Sequence, residues 1–145
     1  MKNFLLILII FPIVLIADFS RTNMGVVIDS NTGLEWQDNY NDTGGNIKTA
    51  TWQDAINYCE SLTFDDGGWR LPNIRELISI CDFSQVNPLI NPIFQYTTNS
   101  GYWSSTTVSG DFGSDEAWSV DFVLGLMHNS FKKDYNHIRC VRDAE

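Results

Sequence analysis

Gly67-Gly68-Trp69-Arg70-Leu71-Pro72-Asn73-Ile74-Arg75-Glu76-Leu77 carries the chain from a glycine-rich loop into a helix. Pro72 fixes its own φ and holds Leu71 extended, so no helix runs through this point. Asn73 stands where an N-cap belongs, and Glu76 three residues later completes a capping-box pattern. Ile74, Leu77, Ile78 and Cys81 recur at i, i+3, i+4 and i+7, which predicts one apolar helical face closing near Asp82. Trp69 and Leu71, just upstream, are placed to pack beneath that helix. Arg70 lies between two apolar residues, where a charge needs a partner, and it reads as an ion-paired structural arginine.

Upstream, Thr51 is the expected cap of an earlier helix whose apolar face is Trp52, Ala55, Ile56, Cys59 and Leu62. Before it, residues 24–28 and 34–37 read as strands joined by a tight turn at 29–33. Residues 39–48 form a loop rich in Asn, Asp and Gly. Downstream, two Asn-Pro steps four residues apart exclude regular structure at 87–94. The last third turns to strands at 101–106, 117–122, 126–131 and 137–142, with a loop at 108–115 and a hairpin turn at Gly125. Trp118, Val120 and Phe122 fall on one face of their strand, and Trp103 and Trp118 read as core. Two helices followed by an antiparallel sheet predict an α+β domain.

The N-terminus has a separate purpose. Lys2 precedes an apolar run at 4–16, broken only by Pro12, and then Ala17-Asp18. This is the pattern of a signal peptide at 1–17, leaving a domain at 18–145. The run falls short of the ~20 residues a membrane span needs. Leu15 at the −3 position leaves an uncleaved anchor as the alternative, and no Cys near Ala17 invites lipid attachment. The expectation is export to the periplasm, the cell surface or the medium, with no integral membrane segment after cleavage. The formal net charge of −9 becomes −10 once Lys2 leaves with the leader. Such a surface repels nucleic acid and other polyanions. The one local positive cluster is Lys132-Lys133, with Arg139 and Arg142 nearby and Asp134 and Asp143 diluting it.

The three cysteines are Cys59, Cys81 and Cys140. Export permits a disulfide, and one bridge plus one leftover thiol is the simplest arrangement. Their spacing fits no zinc pattern, and His128 and His137 are not clustered.

Six blocks occur in order: residues 32–37 (TGLEWQ), 52–59 (WQDAINYC), 69–77 (WRLPNIREL), 102–106 (YWSST), 117–122 (AWSVDF) and 139–142 (RCVR). In these the chain resembles the DUF1566 family, the C-terminal domain of the Legionella collagen-like adhesin, over nearly all of the expected mature chain. The resemblance implies a C-type-lectin-like fold, with the helix cysteine Cys59 bridged to the late cysteine Cys140 and Cys81 left free. It also implies a binding role, since the adhesin relative binds sulfated polysaccharides. This chain departs from that relative in lacking collagen repeats and in carrying the wrong net charge for a polyanion.

The function expected is therefore a secreted or surface-exposed, non-catalytic binding module for a carbohydrate or a protein surface. Its candidate contacts lie on the late loops: Asp111, Asp115, Glu116, His128, Asn129, Tyr135 and Asn136. No catalytic residue, metal or cofactor is assigned. Asp111, Asp115 and Glu116 read as a solvated acidic loop rather than a calcium site, and the proline-containing triplets of sugar-binding calcium lectins do not occur. Two alternatives remain: a structural component of an envelope assembly, and an enzyme of the formylglycine-generating kind, which needs two neighbouring thiols for copper.

Overall fold

The computed structural model describes residues 19–110 and 115–145. The expected signal peptide and Asp111 lie outside the described residues. β1 (Phe19–Arg21), β2 (Val26–Asp29) and β3 (Leu34–Gln37) follow one another as antiparallel neighbours. The β2–β3 turn closes because Gly33, at φ 68°, brings its N–H to the Asp29 carbonyl at 2.9 Å. The Asp29 carboxylate then takes the Asn31 N–H and the Thr32 hydroxyl. β1 is an addition to the expected elements. It is three residues long and lacks the alternation that would announce it.

After β4 (Thr49–Ala50) comes α1 (Trp52–Ser61), which buries Ala55 and Cys59. Thr51 does not cap it as expected: its hydroxyl donates to Asp54 at 2.9 Å, and no side-chain cap bond forms. α2 (Ile74–Ser79) has the full capping box, with the Asn73 side chain accepting from the Glu76 N–H at 2.9 Å and Glu76 from the Asn73 N–H at 2.8 Å. α2 stops before the expected Asp82. Cys81 has already left the helix to bridge Ile90 in a short antiparallel contact.

The later strands are β5 (Gly101–Thr107), β6 (Glu116–Asp121), β7 (Leu126–Phe131), β8 (Asn136–His137) and β9 (Val141–Asp143). The expected single strand at 137–142 is split between two sheets. β9 completes a four-stranded sheet of order β1-β2-β3-β9, while β8 sits inside a five-stranded sheet of order β4-β8-β5-β6-β7. Ile138, Arg139 and Cys140, all fully buried, carry the chain from one sheet to the other. The result is an α+β architecture whose pairings are antiparallel except β5 with β8.

Successive residues of β2 and β5 point into two cores. Val27 and Tyr102 join Trp36, Leu77, Ile80, Phe122 and Val141 beside α2. Val26 and Trp103 join Ala55, Cys59, Trp69, Leu71 and Ile138 beside α1. Cys59 and Cys140 are disulfide-bonded, tying α1 to the crossing segment. Trp103 is fully buried, as expected, whereas Trp118 stays partly exposed although Val120 and Phe122 further along the chain are fully buried.

The opening motif is fastened to the end of the chain. Arg70 exchanges two backbone hydrogen bonds with Val141, each 2.9 Å. Its guanidinium meets both Glu76 oxygens at 2.8 Å and Asp143 at 3.0 Å, so the expected structural pairing holds. Arg142 pairs with Glu35 and Asp65, donates to the Gly67 carbonyl and lies 4.4 Å over the Trp69 ring.

Candidate functional site

The most deeply buried ion pair in the described residues joins Asp38 to Arg139, both side chains wholly inaccessible, at 3.2 Å. A carboxylate in such a place must have its oxygens filled. The donors are Arg139, Arg21 Nε at 2.9 Å, and the backbone N–H groups of Gln95 and Tyr96 at 2.9 and 3.1 Å. Arg139 also donates to the Gln37 and Tyr96 carbonyls and to Thr97 Oγ1, with its guanidinium 4.5 Å from the Phe94 ring. Residues 95–97 have no secondary structure of their own. The pair beneath them supplies what a ladder or helix otherwise would.

That fixed segment forms one wall of a groove of about 380 Å³ whose other wall is 45–47 and whose lining includes His137. The opposing wall is held by Gly45 N–H to the Tyr40 carbonyl and by the Thr43 hydroxyl to the Asn46 carbonyl. Tyr40 is itself anchored, through its hydroxyl, to the Ile138 carbonyl at 3.0 Å. Every residue lining the groove is uncharged at neutral pH. Burial holds the His137 pKa below its ordinary value, outweighing the hydrogen bond to the Gly101 backbone. A Cβ on Gly101 would stand 2.7 Å from the Asn136 side-chain oxygen, so that side chain would have to shift to admit one.

The residues expected to form a site on the late loops are spread over the five-stranded sheet. Glu116 and Asn129 are brought together across β6 and β7, amide to carboxylate at 2.8 Å. His128 is exposed one residue away on β7, and Asp115 lies exposed just before β6. Tyr135 is 71% exposed in the turn before β8. Asn136 is not with them: it is on β8, separated from β7 by β5 and β6, and stands beside the groove. Asp111 lies outside the described residues. Lys132 and Lys133 line a separate cavity of about 320 Å³ with Asp115 and Phe131, their ammonium groups 4.2 Å over Trp52 and 5.4 Å over Phe131.

β7 closes the sheet on its outer side, with no described strand paired beyond it. Leu126, Met127 and Phe131 on it are about half exposed, at 49%, 52% and 50%. Among the described residues no set of three His, Cys, Asp or Glu side chains converges to hold a metal. With Cys59 and Cys140 bridged, Cys81 is the remaining thiol, and burial pushes its pKa up to about 11.

The groove residues were missed in the sequence because neither 45–47 nor 95–98 shows a period. The available signal was the amide and hydroxyl run Gln95 to Ser100, which is more polar than a simple connector requires. The model of the Lcl C-terminal domain family matches residues 25–142. No curated protein matches the chain.

Proposed function

The chain belongs to the Lcl C-terminal domain family, and from that premise we propose an exported, non-catalytic binding module of the adhesin type. The observation that carries this reading is the extent of the match, which runs from just before β2 into β9 and so takes in both helices and both cores. The reading includes a signal peptide at 1–17, a single domain at 18–145 and a C-type-lectin-like fold. Support for that fold comes from the disulfide between α1 and the crossing segment, and from β1 and β9 sharing one sheet near the two ends of the domain. The disulfide also favours an oxidising compartment. The formylglycine-type alternative loses ground because two of its three thiols are joined to each other.

The ligand proposed is a carbohydrate or a protein surface. A glycan array probed with the oxidised protein, with and without a calcium chelator and at two salt concentrations, tests it. Saturable binding to any glycan supports the carbohydrate form. Signal that fades with salt places the contact at Lys132 and Lys133. A blank array under every condition rejects the carbohydrate form and leaves a protein ligand.

A structural role within an envelope assembly is the second reading, favoured by β7. A six-residue, uncharged edge strand with exposed Leu126, Met127 and Phe131 is the kind of edge on which another strand adds.

A further inference from the structure

We infer that the groove between residues 45–47 and 95–98 is a binding site for a neutral saccharide of one or two rings, held without a metal ion. This rests on the binding-module reading and names the site and ligand class within it. Size admits such a ligand, since about 380 Å³ lies at the small end of ligand-binding cavities. Chemistry selects it. Asn46 and Gln95 each offer an amide that both donates and accepts, Thr98 offers a hydroxyl that does the same, and the Thr97 hydroxyl, whose oxygen accepts from Arg139, keeps its O–H to donate. A sugar hydroxyl needs that double capacity. Ile47 and Tyr96 add apolar surface for the C–H face of a ring.

Charge excludes the competitors. No Lys or Arg lines the groove, and Arg139 beneath it has its terminal nitrogens committed to Asp38, Gln37, Tyr96 and Thr97. A sulfated or phosphorylated ligand would therefore meet no cation there, on a chain of net charge −9. No Asp or Glu lines it either, so neither a cationic ligand nor a bridging calcium has a partner. Both walls are fixed before binding, by the Asp38–Arg139 pair on one side and by the Tyr40 and Thr43 bonds on the other. A preformed polar groove loses little conformational freedom when occupied, which suits a small ligand with few contacts.

The test is a titration of the isotope-labelled protein followed through its backbone amide resonances. The probes are glucose, galactose, N-acetylglucosamine and lactose, each in millimolar amounts, and a heparin disaccharide as the charged comparison. At least one neutral probe is expected to give saturable shifts confined to residues 45–47, 95–98 and 137, unchanged by chelator and by salt. Asn46 and Gln95 are exposed, so Asn46→Ala and Gln95→Ala leave the remaining resonances in place and each weaken binding about 5–10-fold, the effect of one or two lost hydrogen bonds. Neutral-sugar shifts elsewhere, or parental affinity in both variants, overturn the assignment. Binding of the heparin probe alone, away from the groove, also overturns it but leaves the binding-module reading standing. Silence towards every probe removes the groove and the carbohydrate form of that reading together.

Discussion

Arg139→Met keeps an unbranched apolar stem beside Phe94 but withdraws the guanidinium from beneath residues 95–97. With it go the hydrogen bonds to the Gln37 carbonyl, Asp38, the Tyr96 carbonyl and Thr97 Oγ1. Breaking a buried ion pair by removing one partner costs about 3–5 kcal/mol, because the other charge is left without compensation. Here Asp38 keeps Arg21 at 2.9 Å and the Gln95 and Tyr96 N–H groups. Compensation is therefore partial, and the low end of that range, about 3 kcal/mol, is expected. Against a total stability on the order of 5–15 kcal/mol, the protein still folds. At this chain length the change lowers Tm by about 6–12 °C.

Calorimetry on the parent, Arg139→Met, Asp38→Asn and the double variant measures the coupling directly. The two side chains touch and share donors, so the double variant should lose less than the sum of the single losses, by about 1–3 kcal/mol. Hydrogen exchange supplies the local readout. The Gln95 and Tyr96 amides, which donate to Asp38, should lose protection in Arg139→Met by a larger factor than amides of β2 or β3. Strict additivity in the cycle, or a loss of protection spread evenly over the chain, would refute the idea that this pair shapes the groove wall.

Replacing Cys59 and Cys140 together by serine frees a loop with a sequence separation of 81, and the chain-entropy model puts the loss at roughly 4–5 kcal/mol. Denaturant midpoints check it, and a loss under about 1 kcal/mol would mean that native strain cancels the entropic gain. Glu76→Ala removes one half of the capping box and the two-pronged partner of Arg70, and should destabilise by roughly 1–2 kcal/mol in the same assay. Burial works to raise the Glu76 pKa, but the Arg70 hydrogen bond, the Asn73 N–H and the Arg70 charge together hold it below its ordinary 4.5. Its stabilisation is thus present above that pH and fades as acid protonates the folded form, a decline that Glu76→Gln should flatten. His137 has the opposite chemistry and the same direction. Burial lowers its folded pKa below the ordinary 6.5, so the unfolded chain binds the proton first and stability falls as pH drops below that value. Thermal midpoints between pH 8 and 5 should show this slope in the parent and lose it in His137→Gln.

What was legible in the sequence depended on how far apart the interacting groups lie. Asn73 and Glu76 cap α2 across three residues, and Asp29 to Gly33 close their turn within five, so residue identity alone settled both. Arg70 was legible as a paired arginine because an arginine between apolar residues needs a partner, and the structure pairs Arg139 and Arg142 as well. Which partner was not legible, since Asp38 stands 101 residues before Arg139. The split of the last strand has the same origin. Residues 137–140 alternate polar and apolar, the adjacent apolar pair Cys140-Val141 does not say which sheet each half joins, and Arg139, reaching back to Asp38 and Gln37, marks the crossing. The late-loop residues are exposed or partly exposed where they are described. Exposure, however, does not make them converge, and Asn136 ended on a different strand beside a different cavity. The groove was the least legible feature because its walls carry no periodic signal and come from loops about fifty residues apart. An irregular segment acquires a fixed shape only when something buried fixes it. In this chain a buried charge pair spanning most of the sequence does so, and a site of uncharged amides and hydroxyls is placed on the surface directly above it.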